Sequence, residues 1–462
     1  MSSARRSTRR AAAVLAVSAA VVAPLSPTTA RASAPGTTVD WAFVGDMPYA
    51  TDFTATAMQN WANDLNASGI QFAAHSGDFK GGSDSCSDTR MTTTVGYYNL
   101  LSKPFWATPG DNDWTDCHRN NNGDSSGLGY DPLERLAKVR SLYYANPHQT
   151  NVGGGTPIAL QTQGDSVVPA QQPYVENTLF SKDCVTFGDI HSVSSANGLL
   201  TPTQGSAIKS SSSNYINQHV SLGDYNALQS ARNSEEAARA AANIAWVDKV
   251  FDAAAADPNN EAVFLMTQAE PALYGDQAPS SGVYTQTTQD PYGNTEPPIY
   301  GNDVVSHNDE FWELRKEIYA RAKAYGKPVI LAHGDQHVET ITPNYLTMNQ
   351  SKHGADSSGN PVATGLPDLP ALSNVTRLEN YGSNGATTSG TTHWVEVRAT
   401  CGTDYVFAQR VRQVGVAPGA FSNFAAPTPP ASLPEAPVAA WLLLSSFAVA
   451  GGVVLARRRR VV

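Results

Sequence analysis

The chain has 462 residues, with 31 Lys and Arg against 41 Asp and Glu and a formal net charge of −10. Residues 1–34 and 435–462 hold nine Arg and one Glu between them, so the rest carries 22 basic and 40 acidic side chains, net −18. A surface that acidic argues against a nucleic-acid backbone as main partner and suits a protein that gathers divalent cations.

Residues 1–34 open with Arg5, Arg6, Arg9 and Arg10, continue through an apolar stretch at 11–25 and end in Ala32-Ser33-Ala34. That is the pattern of an export signal, with cleavage before Pro35 or near Ala30. A domain over 35–424 follows. Strands are predicted at 39–44, 71–74 and 105–108, with helices at 54–66 and 91–102 between them. This alternation implies parallel strands with crossover helices. A helix at 131–143 has Pro at its first turn. Strand 184–190, helix 234–256, strand 262–266, helix 308–325 and strand 328–332 come next. Segments 375–379, 393–399 and 405–412 read as closing antiparallel strands. The expected fold is an α/β sandwich with mixed β-sheets and flanking helices.

Residues 425–437 form a Pro/Ala-rich spacer, and 438–456 are nineteen residues without charge, followed by Arg457 to Arg460. An uncharged run of about 20 residues is long enough for a membrane helix. It predicts a transmembrane or sorting helix, with 457–462 as a basic cytoplasmic tail. The expected location is therefore the outer face of the cell membrane or the cell wall, held by a single C-terminal anchor. Four cysteines in an exported chain favour disulfides. Three pairings are possible; loop placement favours Cys86–Cys117, which leaves Cys184–Cys401.

Five segments share one form, a β-prone apolar run ending in acids, amides or histidines: 39–46 (VDWAFVGD), 70–78 (IQFAAHSGD), 105–113 (FWATPGDND), 262–270 (AVFLMTQAE) and 328–337 (PVILAHGDQH). Ligands in open α/β sheets bind beyond the carboxyl ends of the strands, so five such ends would converge. Carboxylate, amide and imidazole without thiolate suit hard or borderline divalent cations. Asp46, Asp78 and Asp111 lie 32 and 33 residues apart, about one βαβ unit per step. Asp46 and Asp78 could instead cap the helices that follow, and Asp111 and Asp113 could form a turn around Asn112.

In order, these segments resemble the calcineurin-like metallophosphoesterase superfamily, and HSGDFKGGSDSC, PGDNDWTDCHR and PVILAHGDQH resemble an exported bacterial branch of it. The resemblance spans roughly residues 39–410. It implies two divalent ions, among Mn, Fe, Zn, Mg and Ca, that drive hydrolysis of a small-molecule phosphoester by activating a water. By position, Asp46 resembles a ligand of the first ion and Asp78 the bridging carboxylate. Asp111 takes the place of the amide ligand, Asn112 that of the catalytic histidine or itself the amide ligand, and Gln268 that of a second-ion histidine. Asp335 and His337 take the two final histidine places. Pro48, Asn112, Gln268 and Asp335 depart from the pattern, and the gain in oxygen moves the expected metal toward Mn, Mg or Ca. His75, His118, Arg119, His191 and His333 are candidates for the missing roles. Arg119 or His118 would contact phosphoryl oxygens, and His191 or His333 would serve as acid. The rival reading is a catalytically impaired surface binding module on the same scaffold. A third reading is a nuclease or nucleotidase, of which the acidic surface disfavours the nuclease.

Overall fold

The computed structural model describes residues 33–50, 53–118, 130–198, 222–271, 311–335, 337, 339–348, 350, 354–355, 361–362, 365–382, 392–404 and 406–424. Residues 1–32 of the expected export signal, the spacer and the C-terminal helix lie outside these residues. The expected membrane anchor is corrected here, because no helix among the described residues is long and apolar enough to cross a membrane. Placement at a membrane or cell wall through that anchor falls with it.

Chain order gives β1 (Thr38–Val44), α1 (Ala55–Ala67), β2 (Phe72–His75), α2 (Asp88–Tyr98), β3 (Pro104–Ala107), α3 (Pro132–Tyr143), β4 (Val152–Gly153), β5 (Gln161–Thr162), β6 (Thr178–Lys182) and β7 (Val185–Asp189). Then come the one-turn helix α4 (Ser194–Asn197), α5 (Leu222–Ala256), β8 (Ala262–Met266), α6 (Trp312–Tyr325), β9 (Val329–His333), β10 (Thr340–Pro343), β11 (Gly354–Ala355), β12 (Pro361–Val362), β13 (Val375–Glu379), β14 (His393–Thr400), β15 (Phe407–Gln413) and β16 (Ser422–Asn423).

Two seven-stranded mixed sheets result, ordered β16-β15-β14-β1-β2-β3-β4 and β10-β13-β9-β8-β7-β6-β5. β1, β2 and β3 are parallel, as are β7, β8, β9 and β13. The expected closing strands divide: β14 and β15 run antiparallel in the first sheet, whereas β13 lies parallel to β9 in the second. Alternation along each strand decides the layers. In β1, Val39, Trp41 and Phe43 join the core between the sheets, while Ala42 and Val44 face α1, α2 and α3. In β8, Ala262, Phe264 and Met266 face inward, and Val263 and Leu265 face α5 and α6. Trp41 meets Phe187 and Phe264 edge to face at 5.0 and 5.2 Å, which locks one sheet against the other. The arrangement is an α/β sandwich, helices outside and sheets inside.

Local chemistry sets the helix ends. Thr54, Ser87 and Asp131 each cap a helix by accepting a backbone N–H, from Ala57, Arg90 and Leu133. Ser87 and Asp88 start α2 earlier than the apolar pattern alone predicts. α5 begins twelve residues before the expected start. Both expected disulfides are present, Cys86–Cys117 and Cys184–Cys401. The second ties the β6–β7 turn of one sheet to the end of β14 in the other.

Candidate metal centre

Three strand ends of the first sheet and two of the second meet. Asp46, Asp78 and Asp111 follow β1, β2 and β3, while Gln268 and Asp335 follow β8 and β9. Glycine before each of the four aspartates has a packing reason in at least two cases. A Cβ on Gly110 would lie 1.9 Å from Asp78 Oδ1, and one on Gly334 would lie 2.3 Å from Asp46 Oδ2. Asp46, Asp78, Asp335 and His337 all have positive φ, at 53°, 60°, 77° and 61°. Left-handed backbone at four non-glycine positions in one place is strain of the kind that collects at functional sites.

Asp78 stands at the middle. Its Oδ1 accepts the Asn112 backbone N–H at 3.1 Å, and its Oδ2 accepts from Asn112 Nδ2 at 2.6 Å, Tyr49 Oη at 3.3 Å and Gln268 Nε2 at 3.5 Å. Gln268 Nε2 also donates to Asp111 Oδ1 and Asp335 Oδ1, each at 3.2 Å, while its Oε1 accepts the Ser194 N–H at 2.7 Å. Asp46 Oδ1 accepts the Asp335 N–H at 2.9 Å and lies 3.3 Å from His337 Nε2. The second oxygen, Asp46 Oδ2, is buried and has no hydrogen-bond partner.

Asp78, Asp111 and Asp335 bring carboxylate oxygens within 4.8 Å of one another. Burial first, then the charges of Asp111 and Asp46, raise the Asp78 carboxyl well above the usual carboxylate range. The same causes push Asp335 up to about 8. Carboxylates so crowded and so desolvated require protons or a cation. The donor set fits one hard divalent cation: the carboxylates of Asp46, Asp78 and Asp335, the first with an orphaned buried oxygen, and the His337 imidazole. It fits a second cation poorly, since amide nitrogens face the oxygens that would hold one.

The remaining sequence candidates lie elsewhere. His191 is buried, its Nδ1 2.7 Å from Glu176 Oε1 and its Nε2 accepting from Trp114 Nε1 at 3.1 Å. His333 is buried with Nδ1 2.9 Å from the Gly334 carbonyl and Nε2 accepting from Arg377 Nε at 2.8 Å. Both ring nitrogens of each are therefore engaged away from the cluster. His75 lies beneath it, where Nδ1 accepts the Gly77 N–H at 3.1 Å and shapes the turn that carries Asp78. The His118 side chain and Arg119 lie outside the described residues. Pro48 faces no ligand role; its carbonyl accepts from Arg90. Lys80 is buried, donating to the Gly81 carbonyl, and Glu270 pairs with Arg377 at 2.9 Å.

Tyr49 escaped sequence reasoning, and Asp113 was read only as part of a turn. Tyr49 Oη lies 3.1 Å from His337 Nε2 and touches Asp78 and Asn112. Burial and the neighbouring Asp78 and Asp46 charges keep its phenol neutral by raising its pKa. Only its place three residues after Asp46 signalled it. Asp113 accepts the N–H groups of Asp78, Phe79 and Gly110 at 3.1, 2.8 and 2.7 Å, and so fixes the second and third loops to each other.

No protein-family model matches the chain, and no curated protein matches it. Among solved structures it is similar to GAP50, "the anchor in the inner membrane complex of Plasmodium", at 9% identity and a TM-score of 0.32 over 84% of this chain and 90% of that one. It is also similar to purple acid phosphatase PPD1 from yellow lupin (Lupinus luteus) seeds, at 11% identity and a TM-score of 0.35 over 85% of this chain and 54% of that one.

Proposed function

We propose that this protein is a metal-dependent phosphoric ester hydrolase acting at the ends of β1, β2, β3, β8 and β9. The observation that carries the reading is Asp46 Oδ2, a buried carboxylate oxygen without a partner beside three mutually close carboxylates. Asp46, Asp78, Asp335 and His337 would hold the cation, which when bound would polarise a phosphoryl oxygen and activate water. Asn112 and Tyr49 hold Asp78 in place by donating to its Oδ2. Asp113 keeps the Asp78 and Asp111 loops in register. Whether one ion or two is held turns on Gln268 and Asn112, whose side-chain amides face the Asp78, Asp111 and Asp335 oxygens. Export is part of the proposal, supported by the two disulfides.

A second reading, a binding module without turnover, draws on one observation. Asn112 cannot donate a proton as an imidazole would, and His191 and His333 are turned to other partners. Turnover separates the two. Metal-stripped full-length protein, supplied with Mn²⁺, should release chromophore from aryl phosphate mono- or diesters and stop on chelation. Cation binding without release from either ester would favour the binding module.

A further inference from the structure

The hydrolase reading leaves open how many cations the site takes, and the two buried amides decide it. A shared second ion would need Asp78 Oδ2, yet that atom faces Asn112 Nδ2 at 2.6 Å, Tyr49 Oη at 3.3 Å and Gln268 Nε2 at 3.5 Å. Asn112 Nδ2 points hydrogen at it, the other two groups add donors beside it, and hydrogen repels a cation. Gln268 is fully buried and its orientation is fixed from the far side, because Oε1 accepts the Ser194 N–H at 2.7 Å. Turning the amide over would set N–H against N–H at Ser194. As it stands, one NH₂ group touches Asp78, Asp111 and Asp335, the same three carboxylates that lie within 4.8 Å of one another. Its two hydrogens place donors on the Asp111 side, where a second ion would have bound. Asp46 is the opposite case: Oδ2 is buried without a donor and packs against Gly334, in the loop that carries Asp335 and His337.

We infer that the site takes a single hard divalent cation, held by Asp46, Asp335 and His337 with Asp78, and that the Gln268 amide stands where a second ion would bind. This rests on the metal-dependent reading above and deepens it. Asp46 supplies the unmet demand for positive charge; Gln268 removes the demand on the Asp111 side. An amide cannot offer a nitrogen lone pair to a metal, so the site also lacks the ligand that would favour zinc there.

The test is Mn²⁺ titration of the metal-stripped full chain, read by metal content after gel filtration and by electron paramagnetic resonance. Wild type should retain one equivalent with the spectrum of an isolated ion. Gln268→His should retain two, with the spectrum of a spin-coupled pair. Two equivalents or a coupled spectrum in wild type would overturn the one-ion inference while leaving the hydrolase reading intact. No retained Mn²⁺ would overturn the metal-dependent reading itself. If Gln268→His folds and stays at one equivalent, the amide is not what excludes the second ion and its assignment fails. If that variant does not fold, the wild-type spectrum decides alone.

Discussion

Asp335→Asn should stabilise the metal-free chain at pH 8 and change it little at pH 5. The Asp335 carboxyl moves from 3.8 to about 8 on folding, through burial and the nearby charges of Asp111 and Asp46. Between those values the folded chain keeps a proton that the unfolded chain has released. A carboxyl raised on folding therefore costs stability as pH rises through that window, by up to about 1.4 kcal/mol per unit. Partial solvent access to Asp335 and protons shared among the neighbouring acids reduce the whole effect to about 2–3 kcal/mol. Asparagine removes the titration and tolerates the left-handed backbone, φ 77°. In a chain of this size the gain corresponds to a rise in Tm of about 3 °C at pH 8. Urea and thermal denaturation of both proteins in chelator at pH 5, 6, 7 and 8 would measure it. Saturating Mn²⁺ at pH 8 should reverse the order, because binding stabilises only the chain that keeps the ligand. A difference between the two proteins that is the same at every pH would refute the reasoning.

Burial lowers His75 to about 4 and His333 to about 3. The unfolded chain then takes up protons first, and each histidine removes about 1.4 kcal/mol per unit as pH falls below 6.5, until its folded value is reached. His75→Gln and His333→Gln should each flatten the acid limb of a urea-midpoint profile; unchanged slopes would count against the buried neutral rings. Asp113→Ala strands three buried N–H groups and should cost about 3 kcal/mol in urea denaturation. It should weaken Mn²⁺ retention as well, although Asp113 is not a proposed ligand. Cys184→Ser with Cys401→Ser opens a loop with a sequence separation of 217 and should cost up to about 5 kcal/mol in the chain-entropy account. A loss no larger than for the Cys86–Cys117 pair would argue that loop length does not set the effect.

Strand positions were legible because apolar β-prone runs are hard to place otherwise: β8 and β13 fall where the sequence puts them, and β1, β9 and β14 differ by a residue or two. Partition of the strands between two sheets was not legible. β13 and β14 are close in sequence, yet they join different sheets, and no local pattern encodes which partner a strand finds. The acids of the cluster could be read from glycine–aspartate at strand ends. Tyr49 could not, because its role depends on loop 47–50 folding back through Asp84, which accepts the Ala50 N–H and pairs with Arg90. The orientations of Gln268, His191 and His333 were equally hidden; each depends on a partner from another segment of the chain, Ser194, Glu176 and Arg377.

The most direct test of the central claim compares Asp78→Asn with wild type in aryl phosphate hydrolysis at saturating Mn²⁺, with circular dichroism to confirm the fold. Loss of a group that holds the cation predicts a fall in kcat/KM of about a thousandfold or more. A folded Asp78→Asn protein that hydrolyses the ester within a few-fold of wild type would contradict the account.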